Sequence, residues 1–390
     1  MGKNDQQDLT HRRKAAKLNV LCGFAPLRAH SPDRPIIVCP DERGIASLAE
    51  RGLICGMADP VPFSAFMARA LYDPERGYYA RQIRTVGARG DFSTSATISP
   101  VFGQAVAGWL RLEAALQPEV RHVIEIGAGS GVLMERVRKN LGWWQRRKFH
   151  WHIVETSDVL QQRQKELLAS GVTWHKNVKA ALETAGGKAF LYHNELLDAF
   201  PVTLLQWHEG VWQEVHVTEE GREVWVPLAW DEAQQAAFSA LQNWPQKQLR
   251  QRVELHATVR EWMQHWSPVW QAGAMLTVDY GDLFPALYHR RPWGTLRGYL
   301  HQQRLEGAAV YQNPGRQDLT SDVNFTDYRA WAVKLGWREV AYGTQGELIR
   351  AHVKNPPTDK STSFILAAEG AGEAFKYVVH RLSKVDHLHI

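Results

Sequence analysis

HVIEIGAGSGVLMERVRKNL, residues 122–141, reads as a short apolar strand, a glycine-rich turn and a helix in immediate succession. Glycines at 127, 129 and 131 let the backbone turn sharply and come close to a ligand, and the helix behind them offers free N–H donors. The same alternation continues. FHWHIVETS (149–157) is a second strand, DVLQQRQKELLA (158–169) a helix, and KAFLYHN (188–194) and GAMLTVDYG (273–281) are apolar runs ending in polar residues, as buried parallel strands do. The pattern predicts an α/β fold with a doubly wound, mostly parallel sheet.

A dinucleotide-binding loop needs its third glycine one position later, where this chain has Val132. The spacing Glu125, Gly127, Gly129, Gly131 suits a nucleoside without a pyrophosphate, S-adenosylmethionine. An acid is then expected at the end of the second strand, and Glu155 stands there, placed to accept hydrogen bonds from both ribose hydroxyls. The structural alternative is a turn that is merely tightly packed, with Glu155 a solvated strand end.

Composition narrows the remaining classes. The chain has 390 residues, 44% of them hydrophobic, enough for one large domain or two ordinary ones. No apolar run approaches the length of a membrane span, and no secretory leader is recognisable, so a cytoplasmic protein that does not enter the membrane is expected. Cys22, Cys39 and Cys55 form no CxxC pair, and the histidines show no ligand spacing, so no metal is predicted. Seven Lys/Arg against three Asp fall in the first 40 residues of a chain whose net charge is +5, leaving the body near neutral; a nucleic-acid partner is not expected. WWQRRKFHWH (143–152) mixes aromatic and basic residues, but it lies where a solvated helix–strand connection belongs.

Residues 1–43 are expected to form a basic, disordered tail, 44–120 helices and a cofactor-covering loop, and 121–390 the main domain with an insertion at about 203–270. Helices are predicted in DERGIASLAERG (41–52), in PFSAFMARALYDPERGYY (62–79) and from about Pro100. Within the insertion, the Trp-rich 204–228 reads as a β-meander and 231–266 as a helix. REVAYGTQGELIRAHV (338–353) and AFKYVVHRL (374–382) are strand candidates for an antiparallel edge.

LYDPERGYY, GDFSTS, ISPVFGQ, EIGAGSG, NELLDAFPV, VDYG, TLRGY and DLTSDVNF occur in this order between residues 71 and 325. With them the chain resembles, from about residue 44 to 380, the MidA-like family of S-adenosylmethionine-dependent methyltransferases, relatives of the mitochondrial complex I assembly-factor arginine methyltransferase. The resemblance implies a class I, Rossmann-like methyltransferase fold with an N-terminal helical region and a large insertion. It also implies that Gly90, Asp91, Phe92, Thr94 and Ser95 fold over the cofactor, and that Asn194 and Glu195 belong to the signature after the fourth strand. The family tends to have His and Asp where this chain has Asp322 and Asn324, and Pro-Glu where it has Ala96 and Thr97.

HNELLDAFPV (193–202) should lie at the carboxyl end of the sheet, where ligands bind in open α/β folds. A guanidinium acceptor is charged throughout the physiological range, and carboxylates are the natural groups to hold its planar fork. Glu195 and Asp198 are the catalytic candidates on this reading. The alternative is that Glu195 caps backbone donors and Asp198 is the N-cap of the next helix. Asp279 and Asp318 are weaker candidates, read first as turn formers. The expected activity is methylation of an arginine on a protein partner such as a respiratory complex I subunit. Methylation of a small molecule, or an assembly factor acting mainly by client binding, are the other readings.

Overall fold

The computed structural model describes residues 59–81, 95–228, 238–244, 247–300 and 303–382. The expected tail, the helix at 41–52 and Gly90, Asp91, Phe92 and Thr94 lie outside the described residues.

Strands along the chain are β1 (Val61–Pro62), β2 (His122–Ile126), β3 (His150–Val154), β4 (Val172–His175), β5 (Ala189–Asn194), β6 (Thr203–His208), β7 (Val211–Val217) and β8 (Glu223–Pro227). They continue as β9 (Arg252–Leu255), β10 (Gly273–Asp282), β11 (Arg297–Leu300), β12 (Gln303–Leu305), β13 (Asp318–Thr320), β14 (Val323–Asn324), β15 (Arg338–Thr344) and β16 (Phe375–Leu382). The central sheet runs β15-β16-β10-β5-β2-β3-β4, with β14 paired to the end of β10. β10, β5, β2, β3 and β4 are parallel; β16 is antiparallel to both of its neighbours. The chain moves outward from β2 to β4 and then returns to β5 on the other side. The carboxyl ends of β2 and β5 therefore flank the topological switch point.

Alternate residues of these strands feed two apolar layers. Ile124, Ile126, Val154, Leu191 and Met275 pack on one face with the helices Phe63–Tyr72, Val178–Thr184 and Ala257–Trp266. Val123, Trp151, Ile153, Phe190 and Leu276 pack on the other with Pro100–Leu116, Val132–Asn140 and Gln345–His352. Covering both faces removes the alternation of polar residues, which is why these strands read as continuous apolar runs.

The helix at 62–79 is Phe63–Tyr72, and the helix from Pro100 is capped by the Ser99 hydroxyl, which accepts the Val101 N–H at 3.3 Å. β6, β7 and β8 form the expected meander, in a second sheet with β1 and β9. The single helix expected over 231–266 is not there. Its described part comprises a short helix, Ser239–Gln242, then β9, and a helix only from Ala257. Pro245 interrupts the helical pattern, and the alternating Arg252, Val253, Glu254 and Leu255 pair with β6. The strand expected through 338–353 stops at Thr344, whose hydroxyl forms a capping box with Glu347 and starts the helix Gln345–His352. Of the two C-terminal strands only β15 forms the edge, since β16 lies between it and β10. WWQRRKFHWH contains a short helix, Trp143–Arg147, before β3. β4, the helix Val178–Thr184 and the three-stranded sheet β12-β11-β13 have no counterpart in the sequence reading.

Candidate active site

Gly127, Gly129 and Gly131 all have left-handed backbone, with φ of 68°, 58° and 78°. The Gly127 N–H donates across to the Val154 carbonyl at 2.9 Å, tying the loop to the end of β3. One turn further, a Cβ on residue 131 would stand 3.2 Å from Cγ of Gln164. Gln164 is fully buried on the helix Asp158–Leu168. Its Nε2 donates to the Gly129 carbonyl at 2.9 Å and to Oε2 of Glu155 at 3.3 Å, while its Oε1 accepts from the Trp174 indole at 2.9 Å. Glu155 Oε1 accepts the N–H groups of Thr156 and Ser157, both at 3.0 Å. Burial pushes the Glu155 carboxyl up to about 7, against the lowering effect of the bonds from Ser157, Gln164 and Thr156. Glu155 is thus no solvated strand end: it is buried and linked through one glutamine to the glycine loop. The Thr156 hydroxyl beside it is buried without a partner among the described residues.

Glu125 points from β2 into the opposite layer and accepts the Tyr192 hydroxyl at 3.1 Å. On β5, Asn194 Nδ2 donates to Glu195 Oε1 at 3.1 Å, and its Oδ1 is buried with no partner among the described residues. Glu195 itself has left-handed backbone, φ 54°, uncommon for a residue with a side chain. What holds that turn is Asp279, fully buried at the end of β10. Its Oδ2 accepts the Leu196 and Leu197 N–H groups at 2.9 and 2.8 Å. Asp279 is therefore the cap that sequence reasoning assigned to Glu195 or Asp198. The 3₁₀ turn Leu197–Ala199 has Leu196 at its N-cap position, so Asp198 is not an N-cap.

A model of the family described as "Putative S-adenosyl-L-methionine-dependent methyltransferase" matches residues 103–342. The chain belongs to this family, the MidA-like methyltransferases. It is 28% identical over 305 residues to the Drosophila melanogaster protein arginine methyltransferase NDUFAF7 homolog, mitochondrial, covering 68% of this chain and 65% of that one. It is 27% identical over 336 residues to the Danio rerio protein arginine methyltransferase NDUFAF7, mitochondrial, covering 79% and 76%. The match thus spans about two thirds of the Drosophila relative's length. A COG1565 superfamily member from Burkholderia thailandensis, solved bound to S-adenosyl-homocysteine, superposes with a TM-score of 0.70 at 24% identity, covering 86% of this chain and 90% of that one.

The methyltransferase's cofactor is S-adenosylmethionine. The residues present fit it: the left-handed glycine turn, the buried carboxyl of Glu155 and the free oxygens of Asn194 and Thr156 are what a nucleoside with an amino-acid tail needs. Bound there, it supplies a methyl group activated on a sulfonium. Ser95 opens the helix Ser95–Ile98; Ala96 and Thr97 lie in the same turn.

Three family motifs meet behind the Glu195 turn. Tyr72 and Tyr79 of LYDPERGYY stack with ring centroids 5.3 Å apart, and the Tyr79 hydroxyl donates to Asp318 Oδ1 at 3.0 Å. Asp198 is fully buried, and its carbonyl accepts the Ser321 N–H at 3.0 Å and the Thr320 hydroxyl at 3.2 Å. Both tyrosine hydroxyls are held well above their ordinary range, by burial first and then by the charges of Asp318 and Asp198. His256 lies in the same cluster, 3.2 Å from the Ser321 hydroxyl, with burial lowering its pKa to about 4 against the raising influence of Asp198 and Asp322. A cleft of about 1060 Å³ has Tyr280, Gly281, Asp282, Arg291, Arg297 and Asp322 in its wall, the first of these directly after Asp279 in the chain. Glu195 and Asp198 do not line it. Asn324 caps the helix Phe325–Lys334 by accepting the Thr326 N–H at 3.1 Å, whereas Asp322 borders the cleft.

Sequence reasoning missed Gln164, Thr156 and the tyrosine pair. One signal was available for Gln164. It falls four residues from both Leu160 and Leu168, a polar side chain at a core position of its helix.

Proposed function

We propose that this methyltransferase modifies an arginine of a protein partner, with Glu195 as the carboxylate that orients the accepting guanidinium. The observation that carries the role of Glu195 is its turn. Asp279 fixes the two following amides, forcing a strained left-handed Glu195 to the carboxyl end of β5, beside the switch point where the cofactor's loop ends. Strain of this kind costs about 1–3 kcal/mol and persists only where the surroundings enforce it. Arginine as acceptor is supported by the names of the relatives and by the planar fork a carboxylate can grip. A respiratory complex I subunit is the partner we infer, on the strength of the family resemblance.

Glu155 would accept the ribose hydroxyls and Asn194 Oδ1 the cofactor's ammonium, with Glu195 left for the acceptor. Holding the guanidinium in line behind the methyl carbon is the main contribution, since alignment alone supplies several powers of ten in rate, and the proton lost from the accepting nitrogen passes to Glu195 or to a water. Asp198 is held behind the turn, its carbonyl bonded to Thr320 and Ser321, and has a structural role. The test is incubation with radiolabelled S-adenosylmethionine and cell lysate, followed by acid hydrolysis. Label in methylarginine supports the reading; label confined to small molecules or RNA refutes it.

A further inference from the structure

The cleft walled by Tyr280 and Gly281 contains an arginine whose bonding is incomplete. Arg297 is buried, 7% exposed, on β11. Its Nε donates to the Tyr299 hydroxyl at 3.0 Å, and its Nη1 to the Thr295 carbonyl at 2.9 Å and to Asp322 Oδ1 at 2.6 Å. A guanidinium has five N–H donors, two of them on the second terminal nitrogen. Nη2 of Arg297 has no hydrogen-bond partner among the described residues, and Arg297 lines the cleft. Arg291, half exposed, donates to the other oxygen of the same carboxylate at 2.6 Å. Burial would raise the Asp322 carboxyl, but the two guanidinium groups outweigh it and hold the group below the carboxylate range.

Two cations on one anion leave a net positive charge at the floor of the cleft. Elsewhere in the wall Arg304 pairs with Glu306, Lys376 with Asp282 at 3.5 Å and Arg252 with Glu223, while Arg290 and Glu373 have no ion pair among the described residues. Trp293, 63% exposed, stands on the same wall.

We propose that this cleft binds a carboxylate of the acceptor, gripped by Arg297 and Arg291 while Asp322 holds both in place. The inference rests on the protein-arginine reading, and the carboxylate then belongs to an aspartate or glutamate near the methylated arginine. A guanidinium already fixed by three bonds loses little freedom on binding, and its planar fork matches a carboxylate. The end of β10 places the cleft appropriately: Tyr280 in its wall directly follows Asp279, which clamps the Glu195 turn.

Two fluorescent peptide pools test this on the full chain saturated with S-adenosyl-homocysteine. Each peptide carries one central arginine; the flanking positions are drawn from Ala, Gly, Ser and Glu in one pool, and from Ala, Gly, Ser and Gln in the other. Binding is read by fluorescence anisotropy. The glutamate pool should bind at least ~10-fold more tightly, as a charge-assisted bond implies. The advantage should vanish in Arg291→Gln and in Arg297→Lys, which keeps the charge but loses the fork, and persist in Arg338→Gln on the distant edge strand. Equal binding of both pools, no binding of either, or a preference that survives both cleft variants would overturn the proposal. Repeating the incubation with labelled S-adenosylmethionine separates the two readings. Preference without methylarginine leaves the carboxylate site and removes the arginine acceptor; methylarginine without preference removes only the carboxylate site.

Discussion

Replacing Glu155 by glutamine tests the cofactor site at its most exposed physical assumption, that a buried carboxyl must be ionised to receive the ribose. Without cofactor, burial places this carboxyl at about 7, compared with 4.5 for an ordinary glutamate. Two ribose hydroxyls can donate only to the ionised form without losing a partner. Each charge-assisted bond contributes roughly 1 kcal/mol more than its neutral counterpart, so Glu155→Gln should weaken binding by about 2 kcal/mol, roughly 30-fold. In the parent protein, affinity should be full above about pH 8 and fall below pH 7, by about 30-fold at pH 5.5, because the group must then release a proton to bind. The sign for stability follows the same shift. Between pH 4.5 and 7 the folded protein without cofactor holds a proton that the unfolded chain has lost, so its stability declines as pH rises through that window, by roughly 3 kcal/mol. Calorimetry with S-adenosyl-homocysteine at pH 5.5, 7 and 8.5 measures both proteins. The reasoning is refuted if the variant binds within twofold of the parent at pH 8.5, or if the parent's affinity is flat across the series.

Other substitutions probe the neighbouring groups. Glu195→Gln should lower kcat at least ~100-fold with cofactor affinity within about threefold, whereas Asp198→Asn should act mainly on melting temperature; steady-state kinetics beside a thermal melt distinguishes them. Asp279→Asn leaves one of three backbone donors facing an amide NH₂ and should destabilise the Glu195 turn by about 1–3 kcal/mol, visible in denaturant unfolding and as a fall in kcat. Gly131→Ala combines a left-handed φ of 78° with a 3.2 Å approach to Gln164, so a stability loss of about 1–2 kcal/mol and weakened cofactor binding are expected in a melt and a titration.

Local signals were enough for much of this molecule. The strand, glycine turn and helix at 122–141 specify one another through short-range geometry, and the apolar runs of β3, β5 and β10 declare strands buried on both faces. Glu155 could be placed because strand ends are visible in sequence and the binding crevice lies at carboxyl ends, whereas Asn194 came only from the family resemblance. β4 escaped because VTWH is four residues long with a polar residue at every second position, an edge strand without a core signature. β9 escaped because its partner is β6, some 45 residues earlier, and pairing across such a distance leaves no local trace.

Among the acids, sequence put Glu195 and Asp198 ahead of Asp279 and Asp318, and it could not say what each one holds. A carboxylate's role depends on which donors reach it, and those come from elements far apart in the chain. Asp279 became a clamp because β10 lies beside β5. Asp322 became the anchor of two arginines because the loops around β11 and β14 close over one cleft. Chain order determined the strands around the glycine turn, the turn itself and the acid that follows β3. Tertiary packing alone decided which acid holds the backbone and which holds positive charge in place, because long-range proximity is fixed only when the layers pack.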